Sequence, residues 1–273
     1  MAKKIAVGFV VYNPNENLIL RMKNALSSDF ELYIFDNSPD DSTVRSFCNN
    51  RKNIKYVTCG KNVGLGLGIS TVCALAYYDA HTALLFFDQD TVFSRETLLF
   101  IEKIYLDNFS LTSNYSAFSF NSRNYCGTEV DGETNFNNVS LAINSGSLYM
   151  LDNLKRLNWH DETYFVDGVD YNFCLNSVNN NLKIGEFSAT PGFDHATEQD
   201  SSEQYSTFGK LYSLRAYSGN RILDAISASI KLIYKSICTL NVRFAINIAR
   251  LYFKYLVLQV IVRPLIIRKR FYK

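Results

Sequence analysis

Over the first hundred residues, continuous apolar runs alternate with segments of helical spacing. "KIAVGFVVY" is apolar on both faces and is closed by "NPN", the pattern of a strand covered on both sides. "ENLILRMKNALSS" follows with helical spacing, then a second strand, "FELYIFDNS", and a capped helix, "DDSTVRSFCNN". "IKYVTCG" is a third strand, and "GLGLGISTVCALAYYDA" opens a helix on glycines. "TALLFF" is a fourth strand, and "SRETLLFIEKIYLDN" is a helix with Ser94 as N-cap. Such repetition predicts an α/β protein with a mostly parallel sheet flanked by helices. From about 110 to 200 the alternation loosens. There "YSAFSF", "SLAINSGSLYML" and "KIGEFSA" read as strands, "DYNFCLNSVNNN" as a helix with Asp170 near its start, and "TPGFDHATEQD" as a loop.

A chain of 273 residues holds one large α/β domain, or one domain and an appendage. At 47% hydrophobic and 20% charged it is globular rather than disordered. A net charge of +2 names no partner, and no nucleic acid is expected. Cys48, Cys59, Cys73, Cys126, Cys174 and Cys238 form no C-x-x-C pair, so a zinc site is not expected. "IAVGFVVYN" after "MAKK" is too short for a signal peptide, which predicts a reducing, cytoplasmic setting. No uncharged apolar run reaches the ~20 residues of a membrane-spanning helix.

The polar clusters fall at predicted strand ends: Tyr12, Asn13 and Pro14; Asp36 and Asn37; Asp88 and Asp90. In open α/β sheets ligands bind beyond the carboxyl ends of the strands. "LLFFDQD" allows three chemistries. Asp88 is an aspartyl nucleophile with Asp90 as its acid and base in a phosphohydrolase reading. A dinucleotide reading uses the G-x-G-x-G of Gly64, Gly66 and Gly68, although close helix–strand packing explains those glycines better. In the third, both carboxylates serve a hard divalent cation that bridges a diphosphate.

"VVYNPNENL", "IFDNS", "GKNVGLG", "LLFFDQD", "INSGSLYML" and "FVDGVDYNFCL" occur in an order and spacing that resembles family 2 glycosyltransferases of the GT-A fold, from residue 5 to about 221. Within them the chain looks like the bacterial rhamnosyltransferases that build O-antigen and related surface polysaccharides. The resemblance implies a GT-A catalytic domain over 1–221, with a nucleotide-sugar half to about 110 and an acceptor half from about 111. It implies that Tyr12, Asn13, Asp36 and Asn37 contact the nucleotide and that Asn62 and Gly64 shape its pocket. Asp88 and Asp90 would hold Mg²⁺ or Mn²⁺ and the diphosphate, with His195 completing the metal site. Asn144, Ser145, Gly146 and Arg215 would line the donor sugar and acceptor cleft. Asp170 would be the base that deprotonates the acceptor, giving inversion, with Asp167 as the second candidate. Ile69, Ser70, Asn172, Asn176 and Ile222 depart from the family pattern and bear on donor identity. The implied donor is a dTDP- or UDP-sugar, rhamnose first and galactose, galactofuranose or glucose as alternatives. The implied acceptor is a lipid-linked saccharide. A phosphohydrolase and a non-catalytic saccharide binder remain the rival readings.

The segment 222–273 is basic and amphipathic. Ile226, Ile230, Ile233, Ile237, Leu240, Phe244, Ile248, Leu251, Tyr255, Leu258 and Val262 recur at steps of three and four, as one helical face does. Lys231, Lys235, Arg250 and Lys254 lie off that stripe, and no acidic residue follows Asp224. Such a face suits an anionic membrane surface, which predicts a peripheral location on the inner face of the cytoplasmic membrane. Packing on the catalytic domain, or in a homodimer, is the alternative.

Overall fold

The computed structural model describes residues 4–39, 43–49, 51–122, 136–194, 202–207, 210–215 and 217–264, with 202–207 and 210–215 as backbone. The chain divides into two compact units, Met1–His195 and Ala196–Lys273.

In the first unit the strands and helices alternate as β1 (Ile5–Val11), α1 (Glu16–Leu26), β2 (Glu31–Asp36), α2 (Thr43–Cys48), β3 (Ile54–Thr58), α3 (Leu65–Tyr78), β4 (Ala83–Asp88) and α4 (Arg95–Asp107). A 3₁₀ turn, Phe109–Asn114, leads to β5 (Tyr115–Phe120). Then come β6 (Phe136–Val139), β7 (Ser147–Met150), α5 (Leu151–Arg156), α6 (Val169–Asn179) and β8 (Lys183–Phe187). The strands form one sheet in the order β3-β2-β1-β4-β7-β5-β8-β6. The first four are mutually parallel, and β7 runs antiparallel to both β4 and β5. This is a mostly parallel, GT-A-like sheet with flanking helices.

The apolar runs became strands because both sheet faces are covered. Phe9, Leu85, Phe87, Leu98, Ile101 and Phe118 belong to one continuous buried core. Helix α4 starts where expected: the Ser94 hydroxyl accepts from the Thr97 amide, and Thr97 returns a bond to the Ser94 amide. "SLAINSGSLYML" is a strand only over Ser147–Met150. Gly146 turns there at φ +79, and a Cβ would stand 2.6 Å from the Phe120 carbonyl. Because β7 is antiparallel to β4, the residues entering β7 lie beside the end of β4, with Ser147 opposite Phe86.

In the second unit β9 (Ser202–Thr207) and β10 (Lys210–Arg215) pair antiparallel as a separate two-stranded sheet. Residues 196–221, expected with the catalytic domain, therefore fall in this second unit. Two helices follow, α7 (Gly219–Cys238) and α8 (Val242–Leu256), and a π-helical turn, Val257–Val262, continues α8. The stripe expected on one helical face is broken at Leu240, which adopts φ 57, and Asn241 caps α8 anew by accepting from the Phe244 amide. The helical phase resets at this turn, so burial along the stripe is uneven, with Leu251 exposed beyond the buried Phe244 and Ile248. On α7, Ile230 and Ile237 are exposed while the small residues Ala225, Ala228 and Ser236 are buried. On α8, Phe244 and Ile248 are buried, and Val242, Ile246 and Phe253 are exposed. The joined helix Val242–Val262 has 21 residues, long and apolar enough by length and composition to cross a membrane. The sequence expectation excluded such a span because Arg243, Arg250 and Lys254 interrupt the apolar run.

Candidate active site

Three strand ends and one helix start build the site. At the end of β2, Asp36 is buried, and its carboxylate accepts from the Ser38 amide (2.8 Å) and the Tyr56 hydroxyl (2.9 Å). Asn37 binds the glycine turn at both ends: its Nδ2 donates to the Gly64 carbonyl (3.1 Å) and its Oδ1 accepts from the Val63 amide (3.0 Å). The side-chain Oδ1 of Asn62 accepts from the Gly64 amide (3.0 Å). These bonds fix a turn whose backbone opens α3. Gly64 sits at φ 97 and ψ 169, a region essentially reserved for glycine. A Cβ there would stand 2.7 Å from the Phe165 carbonyl. At Gly66 it would stand 2.6 Å from the Tyr164 carbonyl, and at Gly68 it would meet Val10 of β1. The glycines thus serve close packing, against β1 and against the segment that precedes α6. Gly64→Ala should cost roughly 1–3 kcal/mol of strain. A lowered Tm checks this, and an unchanged Tm would show that the turn relaxes.

Tyr12 and Asn13 follow β1. The Tyr12 amide donates to the Gln89 side chain (2.8 Å), and the Asn13 amide donates to the Ser38 hydroxyl (2.9 Å). The first links β1 to the Asp88–Asp90 turn; the second links it to the end of β2.

Asp88 ends β4, and Asp90 lies two residues on; both are half-buried. The Asp88 amide donates to the Ser145 hydroxyl (3.1 Å), which also bonds the Thr91 hydroxyl (2.6 Å). The rings of Phe87 and Phe93 stack at 4.1 Å across the turn. The chain at Asp194 bridges antiparallel to Val92. Arg21 of α1 donates to the Thr91 carbonyl (2.8 Å) and feels the Asp90 carboxylate; burial pushes its pKa down, and Asp90 opposes that.

Asp170 is the second residue of α6. The N-cap of that helix is Gly168, at φ 81, so Asp170 is not the cap. Its Oδ1 accepts from Asn144 Nδ2 (2.8 Å). Asn144 is buried, and its Oδ1 accepts from the Tyr149 hydroxyl (2.7 Å). Burial pushes the Tyr149 phenol well above its ordinary range, and the Asp170 and Asp88 carboxylates add to that shift. Tyr171 is pushed up to about 12 by burial, then by Asp170 and Asp167. The two candidate bases therefore share one neighbourhood, at the start of a helix whose N-terminal dipole favours a carboxylate.

The structure brings together Tyr12, Asn13, Asp36, Asn37, Asn62 and Gly64 around the β1 and β2 ends, and Asp88, Asn144, Ser145 and Asp170 at the switch from β4 to β7. Gly146 shapes the turn into β7. Arg215 ends β10, opposite Ser202, in the second unit. His195 lies outside the described residues. Sequence reasoning missed Gln89, Arg21, Tyr56, Phe165 and Tyr149. Gln89 was visible inside the D-Q-D run itself; the other four act over long separations that carry no local signal.

Among the described residues no group of three or more His, Cys, Asp or Glu side chains is arranged to hold a metal ion. Asp88 and Asp90 nonetheless supply hard oxygen donors of the right kind. A small divalent ion commonly takes one or two carboxylates and fills its remaining positions from substrate phosphates and water.

The fold is that of an α/β protein of GT-A type. Residues 7–119 match the model of glycosyl transferase family 2, a stretch that holds Asp36, Asn37, Gly64, Asp88 and Asp90 and stops before Asn144 and Asp170. No curated protein matches the chain. The crystal structure of S. aureus TarS is similar with a TM-score of 0.50 at 18% identity, over 70% of this chain and 36% of that one. Its 1–349 portion in complex with UDP gives 0.52 at 18% identity, over 84% and 65%. The chain thus spans less than two thirds of the length of these solved structures. At that identity the likeness shows the fold. The family match and the fold together support a glycosyltransferase.

Proposed function

We propose that this protein is an inverting glycosyltransferase that moves a sugar from a nucleotide donor to a lipid-linked saccharide, in the assembly of an O-antigen-type surface polysaccharide. One observation carries the reading: adjacent residues hold the two chemical centres, Asn144 the Asp170 carboxylate and Ser145 the Asp88 amide. A proton acceptor and a diphosphate-facing turn are thereby tied to one two-residue support. The nucleotide lies along the β1 and β2 ends and the glycine turn. Asp170 takes the acceptor hydroxyl's proton as that oxygen attacks the sugar carbon, and the nucleoside diphosphate leaves from the opposite face. Asp88 and Asp90 would hold Mg²⁺ or Mn²⁺, which would neutralise charge on the departing diphosphate. Rhamnose is the first donor sugar to try, with galactose, galactofuranose and glucose next. The UDP complex of TarS supports testing UDP- beside dTDP-sugars. Calorimetry of the purified chain against that panel should find one nucleotide sugar bound in preference to its free sugar. Binding of none would remove the donor assignment.

We place the protein at the cytoplasmic face of the membrane through its second unit. The support is its exposed apolar residues Ile230, Ile237 and Phe253, the cations Lys231, Lys235, Arg250 and Lys254, and the absence of acids after Asp224. Each surface-near cation adds about 1 kcal/mol at an anionic bilayer. High salt should weaken cosedimentation with anionic vesicles. Ile230→Ser, Ile237→Ser and Phe253→Ser should weaken it at low salt too, each losing roughly 1.5–3 kcal/mol of burial. Phe244→Ser should instead lower Tm, because Phe244 is core. If the native chain ignores vesicles and these variants turn a dimer into a monomer, the exposed face is a dimer interface.

A further inference from the structure

We infer that Tyr149, a residue buried in β7, is a positioning residue for the proposed base: it fixes the orientation of Asn144, and Asn144 in turn aims and charges the Asp170 carboxylate. The inference rests on the reading of Asp170 as base and adds a residue to which the resemblance gave no role. An asparagine amide has two faces of nearly equal shape, one donating and one accepting. Only the donating face suits a carboxylate. At Asn144 the choice is made from behind, because the Tyr149 hydroxyl donates to Oδ1 at 2.7 Å and so turns Nδ2 toward Asp170 at 2.8 Å. The tyrosine has little freedom of its own. It is fully buried, and its ring packs edge-on against His160 and Phe173, with centroids 4.9 and 5.1 Å away. His160 stacks on Phe173 at 5.1 Å and is buried. Burial pushes the His160 pKa down to about 3, so the ring stays neutral beside the phenol at ordinary pH. A rigid aromatic block thus anchors a two-bond relay that ends on the side chain at the start of α6. The donor set explains why a tyrosine stands buried in β7: its hydroxyl has an acceptor there, and a phenylalanine would leave Asn144 Oδ1 buried without this donor.

The test reads the carboxyl directly, so it does not wait on identification of the donor. Full-length protein labelled with ¹³C at aspartate carboxyls is titrated by NMR, and the Asp170 signal is identified by its loss in Asp170→Asn. Hydrogen bonding to the charged form lowers a carboxyl pKa, so removing the donor raises it. Asn144→Leu should shift the Asp170 midpoint upward, and Tyr149→Phe should shift it the same way by less, with the tyrosine ring's packing retained. Once a donor is in hand, Tyr149→Phe should lower kcat roughly tenfold, as the loss of about one hydrogen bond does, with KM for the donor little changed. An Asp170 midpoint that stays in place in both variants overturns the relay. A midpoint that moves while Asp170→Asn keeps full turnover upholds the relay and removes Asp170 as the base, so the two failures are distinct.

Discussion

Asp170→Asn should lower turnover by roughly 10²–10⁴ while donor binding persists, because the amide keeps the shape of the carboxylate but cannot take the acceptor's proton. The geometry concentrates this effect on one side chain. Asp170 stands in the first turn of α6, where the helix N-terminus favours the ionised form, and it accepts from Asn144. Both features stabilise the carboxylate, the form a base needs before it reacts. The Asn62–Gly64 turn is held by its own bonds to Asn37 and Asn62, which the substitution leaves in place, so donor affinity should be untouched. Asp167, three residues earlier, is the control. If Asp167→Asn gives the large loss and Asp170→Asn leaves turnover intact, the base is Asp167, and the Asn144 bond serves structure.

Asp90→Ala should remove turnover, by more than about 10²-fold, the scale on which transition states depend on a placed electrostatic partner. Asp90 sits past the β4 end on a turn braced by Arg21, by the Phe87–Phe93 stack and by Ser145. That bracing means that the alanine should delete a charge without unfolding the turn, and Tm should fall little. Excess chelator should silence the native protein in the same way, and added Mg²⁺ or Mn²⁺ should restore it. Full activity in excess chelator would contradict the metal assignment and leave Asp90 a structural partner of Arg21.

The first half of the fold was legible because its physics is local. A strand covered on both faces must be apolar throughout, as in "VGFVV" and "LLFF", and Ser94 announces the α4 start through its own side chain. The polar clusters at Asp36 and Asp88 were readable for the same reason, since a buried run that ends in carboxylates marks a strand end. The link between Asn144 and Asp170 was not readable. It spans 26 residues and joins the turn before β7 to the first turn of α6, which no local pattern encodes. In the tail, periodicity misled. Steps of three and four run on through Thr239–Asn241, yet Leu240 turns left-handed and Asn241 starts a new helix, so a stripe that is open at Ile230 and Ile237 is buried at Phe244 and Ile248 and open again at Leu251. The capping asparagine was the available signal, and the unbroken apolar spacing hid it.

The most direct test of the central claim follows the anomeric carbon. Purified protein, Mg²⁺ or Mn²⁺, the nucleotide sugar selected by calorimetry and a lipid-linked saccharide are combined, and the product is read by ¹H NMR. Transfer to the saccharide with one nucleoside diphosphate released per sugar, and with the anomeric configuration inverted, is the predicted result. Release of inorganic phosphate from simple esters without a nucleotide sugar would contradict it in favour of the hydrolase, and a donor that binds but is never turned over would leave a saccharide-binding protein in its place.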